Sequence, residues 1–243
     1  MRLAILKAGT ATPAARKREG DYDRMFANLL AAPGREWRTY DVEHGEFPED
    51  LAAHDGYLVT GSKYAVYDDL PWVHRLQETI RAIHARSIQL VGVCFGHQAL
   101  AQALGGEAAL NPQGWEVGLR PVTLTAAGRA ALSGNGVGEL PDPLLLYESH
   151  RDAVLRVPPG AVNLASSPRT PSEMFALGET VLGMQAHPEF SAETVRELIE
   201  SRSGIIPQER ADEGLASLDA VPHRESAKGI LEAFLSPNGA ARR

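Results

Sequence analysis

The stretch Leu90-Val91-Gly92-Val93-Cys94-Phe95-Gly96-His97-Gln98 constrains this chain more than any other. An apolar run over residues 88–93 leads into it, and a helix-forming run over residues 98–104 leads out. Cys94, the only cysteine in the sequence, sits at the join. Gly92 and Gly96 flank it symmetrically, so the segment reads as strand, sharp turn and helix, with sulfur where a nucleophile elbow carries its reactive atom. Glycine at both places lets the strand and helix backbones pass closely. Such a turn pushes its side chain out at the carboxyl end of a strand. The helix that follows aims its N-terminal dipole at the sulfur, which favours the thiolate of a cysteine so placed. A small buried structural cysteine is the alternative. The glycine spacing and the partners identified below weigh against it.

A strand as continuously apolar as residues 88–93 is buried on both faces, which places it inside a parallel sheet covered by helices. Residues 3–6, 37–42 and 57–60 read as further strands, and residues 22–30 and 71–86 have helical apolar spacing. Residues 10–20 are polar and basic and read as a loop. Beyond Gly105-Gly106 the pattern changes. Strands are expected over residues 117–124, 144–147, 161–165, 174–177 and 181–185. Gly134, Gly136 and Gly138 mark a turn-rich connector, and without a following Lys-Ser/Thr they are no phosphate loop. From Ser191 three more helical stretches follow, over residues 192–200, 207–218 and 222–235, and the polar tail 236–243 is expected to fray. The expected fold class is α/β, with three layers: a mostly parallel central sheet flanked by helices. It forms a single domain over 1–243, with 191–235 as a C-terminal helical extension.

Charge and length narrow the setting. The chain carries 24 Lys and Arg against 31 Asp and Glu, which argues against nucleic acid as the main partner. One cysteine cannot close an internal disulfide, so a reducing, cytoplasmic compartment is the natural setting. The apolar part of the first nine residues is too short for a secretory signal, and no run reaches the 18 or so apolar residues of a membrane span. No membrane association, no cofactor and no metal are expected.

A thiol nucleophile needs a base, and the base needs an orienter. Among eight histidines, His187 stands out in Gly183-Met184-Gln185-Ala186-His187-Pro188-Glu189-Phe190, directly after the last apolar strand. Residues two apart in extended chain point to one side, so Glu189 can hold the imidazole while its other nitrogen faces the sulfur. A turn histidine beside a solvated glutamate is the alternative. With the cysteine elbow upstream, a Cys94–His187–Glu189 triad is the stronger reading. His97, in the first helical turn, fits packing or capping better than catalysis. Gln98 is a candidate for substrate binding, since its amide both donates and accepts. The Phe95 N–H, next to the nucleophile, is the natural first oxyanion donor, and Gly61 in Val59-Thr60-Gly61-Ser62 fits as the second.

These residues resemble the class I, triad-type glutamine amidotransferase family over nearly all of the first 200 residues. Gly92-Val93-Cys94-Phe95-Gly96-His97-Gln98 resembles its nucleophile motif, His187-Pro188-Glu189 its partner motif and Thr60-Gly61-Ser62 its oxyanion strand. Glu148-Ser149-His150-Arg151-Asp152 resembles the segment lining the glutamine pocket. The likeness is strongest to freestanding members related to the amidotransferase part of GMP synthase, some of which are γ-glutamyl peptidases. Tyr67-Asp68-Asp69-Leu70-Pro71-Trp72 and Gly114-Trp115-Glu116-Val117-Gly118 belong to that likeness.

The resemblance implies a flavodoxin-like fold and a cysteinyl thioester route. Cys94 attacks a glutamyl γ-carbonyl, Phe95 and Gly61 hold the oxyanion, His187 moves the proton and Glu189 orients His187. It also implies that Gln98, Ser149 and His150 hold the amino-acid end of the substrate. Arg151 is a departure, since many relatives carry glycine there, and its side chain narrows the pocket or grips a longer substrate. The sequence has no Walker-type loop and no Ser-Gly-Gly-x-Asp loop, so it holds no ATP-using synthetase. Three readings follow. The first, which the resemblance favours, is a glutaminase or amidotransferase subunit that supplies ammonia to a separate synthetase. The second is a γ-glutamyl peptidase or hydrolase. The third is a non-enzymatic redox or binding protein.

Overall fold

The computed structural model describes residues 1–134 and 137–236, so Gly136 of the glycine connector and residues 237–243 of the tail lie outside the description. The first half alternates strands and helices: β1 (Arg2–Lys7), α1 (Pro13–Glu19), α2 (Tyr22–Leu29), β2 (Glu36–Asp41), β3 (Gly56–Val59), α3 (Pro71–Ala85), β4 (Gln89–Val93) and α4 (Phe95–Ala103). The second half begins with β5 (Glu107–Leu110), β6 (Glu116–Leu124), α5 (Ala126–Gly134), β7 (Leu144–His150) and β8 (Asp152–Arg156). It continues with β9 (Val162–Ser166), β10 (Met174–Leu177), β11 (Val181–Met184), α6 (Ala192–Ser201), α7 (Gln208–Ala216) and α8 (Arg224–Leu235).

Nine strands form one sheet in the order β2-β1-β3-β4-β11-β10-β9-β6-β7, and β5 with β8 forms a small second sheet. Pairing is parallel from β2 through β11 and antiparallel from there to β7. Successive strand side chains alternate between faces. Leu3 and Ile5 of β1 therefore enter one apolar cluster with Phe26 of α2 and Ile230, Leu231 and Phe234 of α8. Ala4 and Leu6 enter another with Val73, Leu76, Ile80 and Ile83 of α3. Both faces of the sheet are covered, which gives the three-layer α/β architecture expected from the sequence. A third cluster joins α6 to β6 and β7 through Val195, Leu198, Ile199, Val117 and Tyr147.

Local chemistry explains where elements depart from expectation. Residues 10–20 are not a loop but hold α1. The Thr12 hydroxyl accepts from the Ala15 N–H, and Pro13 takes the first turn, where it has no N–H to lose. The basic residues that gave the stretch its polar look lie on that helix. Similarly, α5 starts where the Thr125 hydroxyl accepts from the Gly128 N–H at 2.8 Å. Strand β7 runs on past Tyr147 to His150, pairing with β6 along its length.

Candidate active site

Three loops meet at the carboxyl ends of neighbouring parallel strands. Val59 of β3 lies beside Gly92 of β4, and Val93 of β4 lies beside Met184 of β11. Chain leaving these three strands therefore emerges side by side: Gly61 from β3, Cys94 from β4 and His187 from β11. In open α/β sheets this edge is where ligands bind.

Cys94 has φ +53° and ψ −106°, a backbone conformation that side chains with a Cβ rarely adopt. The turn is enforced by the flanking glycines. A Cβ at Gly92 would stand 2.4 Å from the Gly96 carbonyl oxygen, and one at Gly96 would stand 2.3 Å from that of Val59. Only bare backbone lets α4 start so close to β3 and β4. The Cys94 N–H donates to the Met184 carbonyl at 2.9 Å, tying the elbow to β11. Phe95 opens the helix, where first-turn N–H groups have no intrahelical acceptor.

His187 Nδ1 and Glu189 Oε1 are 2.7 Å apart. The His187 N–H donates to the Tyr147 carbonyl at 2.8 Å, and the imidazole stacks on the Phe190 ring. Cys94, His187 and Glu189 are 6%, 4% and 2% exposed, so water competes little for them. Burial by itself would lower the His187 pKa. The Glu189 carboxylate and a hydrogen bond with Cys94 overcome this and raise it to about 10. The imidazole is thus held as a cation at neutral pH, between a carboxylate and the sulfur. A Cβ built on Gly61 would stand 3.2 Å from His187 Cε1 and 3.8 Å from Cys94 Cβ, so Gly61 walls the space beside both.

His97 is elsewhere. It is fully buried beneath β11, its Nε2 3.1 Å from the Ser172 carbonyl and its ring beside Phe175. Burial pushes its pKa down to about 3, and it stays neutral.

Beside Cys94 opens a cavity of about 360 Å³. Gln98, Ser149, His150 and Arg151 all line it. Gln98 holds the wall together: its amide nitrogen donates to the Asp152 carbonyl at 2.9 Å and to Gln185 Oε1 at 3.1 Å, which uses both of its hydrogens. Ser149 Oγ accepts from Arg202 at 2.7 Å. Arg202 is a cavity residue that sequence reasoning did not single out. It follows α6, far from every motif, and its guanidinium sits over the Trp115 ring, 5.3 Å from the centroid. Lys63, Tyr64 and Tyr67 also line it, and the Tyr67 hydroxyl donates to Asp152 Oδ2 at 3.1 Å.

Behind this wall lies an acidic cluster. Glu148 and Glu173 are 0% and 1% exposed, and burial together with neighbouring carboxyls raises both pKa values well above the usual range. Glu116 Oε2 accepts from the Thr170 hydroxyl at 2.7 Å and lies 3.9 Å from His150 Nε2.

The glutamine amidotransferase class-I family matches residues 24–203. The chain belongs to that family. It is 30% identical to gamma-glutamyl peptidase 5 of Arabidopsis thaliana over 240 residues, covering 96% of this chain and 95% of the relative. It is 29% identical to gamma-glutamyl peptidase 3 of the same plant, over 96% of each. Among solved structures, a glutamine amidotransferase from Thermotoga maritima superposes with a TM-score of 0.72 at 22% identity, covering 97% of this chain and 98% of that one. Family and relatives together support a hydrolase or amidotransferase role. No helix among the described residues is long and apolar enough to cross a membrane.

Proposed function

We propose that the protein hydrolyses γ-glutamyl amide bonds through a thioester on Cys94, with γ-glutamyl peptides as substrates. The observation that carries this reading is the strained Cys94 elbow set against an imidazolium that Glu189 holds at 2.7 Å. Cys94 Sγ, as the thiolate partner of the imidazolium, attacks the γ-carbonyl and the carbon–sulfur bond forms. The N–H groups of Phe95 and Gly61 receive the oxyanion. As the carbon–nitrogen bond breaks, His187 gives its proton to the leaving amine. Water then attacks the thioester, gives a proton to His187, and the carbon–sulfur bond breaks to release glutamate and restore the thiolate. Glu189 fixes the ring and its charge throughout.

The cavity favours a substrate longer than glutamine. Arg202 and Lys63 both line it, and they suit the two carboxylates of a γ-glutamyl peptide. Ser149, His150 and Arg151 border the glutamyl end, with Gln98 keeping their segment in place. The match to γ-glutamyl peptidases along nearly the whole chain supports the same choice.

A second reading is glutamine hydrolysis with ammonia passed to a separate synthetase, which the family match favours. One assay separates the two. The purified protein is incubated with glutamine and with γ-glutamyl dipeptides, and glutamate, ammonia and free amino acid are measured. Dipeptide cleavage well above glutamine turnover supports the peptidase. Glutamine turnover that appears only with an added partner overturns it. No turnover of either, with Cys94 unlabelled by both substrates, overturns the thioester route.

A further inference from the structure

We infer that Glu148, His150 and Glu173 form a binding site for one divalent cation of the zinc type, in the wall behind the cavity. Strand β7 places Glu148 and His150 two residues apart on one side, and Glu173 reaches them from the residue before β10. One donor atom from each of the three lies within 4.8 Å of the others. All three residues are less than 5% exposed.

Two features mark the cluster as a place for a cation. First, both carboxylate oxygens of Glu148 and both of Glu173 are buried without a hydrogen-bond partner. Among the described residues no lysine or arginine pairs with either carboxylate. Second, the His150 Nδ1 is 2.9 Å from the Asp152 carbonyl, which fixes the proton on that nitrogen. Its Nε2 then lies 3.3 Å from Glu148 Oε2 and 3.9 Å from Glu116 Oε2, on the side of the cluster where a ligand would sit. Carboxyl groups and an imidazole gathered in a dry interior are costly to charge, and a cation among them offsets that cost.

The spacing suits that centre. A tetrahedral zinc ion with bonds of about 2.0–2.1 Å sets its donors about 3.4 Å apart. A histidine that gives its Nδ1 proton to a carbonyl and its Nε2 to the metal is the usual arrangement around such ions. One imidazole and two carboxylates suit zinc better than calcium or magnesium, which take oxygen alone. Glu116, held by Thr170, stands next as a fourth donor. The bound cation has no part in the thioester chemistry. It fastens β7 to β10, and so fixes the Ser149–His150–Arg151 wall of the cavity.

The test is metal content of the full chain. Wild type and Cys94→Ala are dialysed against Zn²⁺ and then against metal-free buffer, and bound zinc is counted by mass spectrometry. Cys94→Ala removes the one thiol, so zinc held by Cys94 and His187 is told apart. We expect one tightly held zinc per chain in both proteins, a tetrahedral Co²⁺ spectrum on replacement, and affinity at least ~100-fold weaker in Glu173→Gln. Circular dichroism checks that this variant is folded. If it is not, the Co²⁺ spectra of wild type and Cys94→Ala decide. Absence of bound zinc, binding that disappears in Cys94→Ala, or unchanged affinity in folded Glu173→Gln would each overturn the site.

Discussion

The imidazole of His187 lies flat on the ring of Phe190, with centroids 4.0 Å apart and planes within 7° of parallel. A cation on an aromatic face is stabilised by the ring quadrupole. The stack also fixes the plane in which His187 meets both Glu189 and Cys94. Replacing Phe190 by leucine keeps the apolar volume but removes the flat support. We expect kcat to fall about 10- to 100-fold, with KM nearly unchanged, because a small misplacement of a catalytic group costs that much. Steady-state kinetics on a γ-glutamyl dipeptide checks it. An equal rise in KM would point to substrate contact instead.

Cys94 carries both the proposed chemistry and a backbone strain. Cys94→Ala should lower turnover ~10⁴-fold or more. Cys94→Gly should be as inactive yet more stable than Cys94→Ala by about 1 kcal/mol, since glycine adopts positive φ without a Cβ clash. Thermal melts of the two variants decide it. Equal stability would mean that the turn is not strained.

The charge on His187 sets a pH window. Folding raises its pKa from the ordinary 6.5 to about 10. The stability from that shift is fully present below the unfolded value and is lost as pH rises through about 10. NMR of the imidazole should show no titration between roughly pH 6 and 8. Glu189→Gln removes the facing carboxylate, so the His187 midpoint should drop and kcat should fall about 10³-fold. A midpoint left in place would assign the charge to Cys94 alone.

Arg202 tests the choice of substrate. If its guanidinium receives a peptide carboxylate, Arg202→Ala should lower kcat/KM for a γ-glutamyl dipeptide by about 10- to 100-fold. Arg202→Lys should not restore it, because lysine lacks the planar fork and does not spread over Trp115 in the same way. A loss seen equally with glutamine would place Arg202 on the glutamyl end.

The elbow was legible because glycine spacing is a backbone requirement, and each glycine answers to one close approach in the fold. The strands of the parallel half were legible for a similar reason: continuous apolar runs such as Leu3 to Leu6 bury on both faces. What escaped was chemistry with no local signature. Nothing in Ser201-Arg202-Ser203 says that the arginine turns back over Trp115. Helix α1 was hidden by its own exposed charges, and its cap, Thr12, is a single residue. The acidic cluster was invisible because Glu116, Glu148 and Glu173 come from three separate strands or their approaches, and only the sheet brings them together.

The strand order has a consequence for synthesis. Strand β4 is flanked in the finished sheet by β3 and β11, yet β11 is made only after β5 to β10. A ribosome-bound chain that has released β1 to β4 therefore shows the cysteine strand as an open edge, ready to pair wrongly. Its thiol also stands without the histidine proposed to act with it. Closing that edge and delivering His187 are one event, the docking of residues 181–187 beside β4. On the proposed chemistry, the same vacancy that leaves a nascent chain prone to aggregate also keeps it chemically quiet.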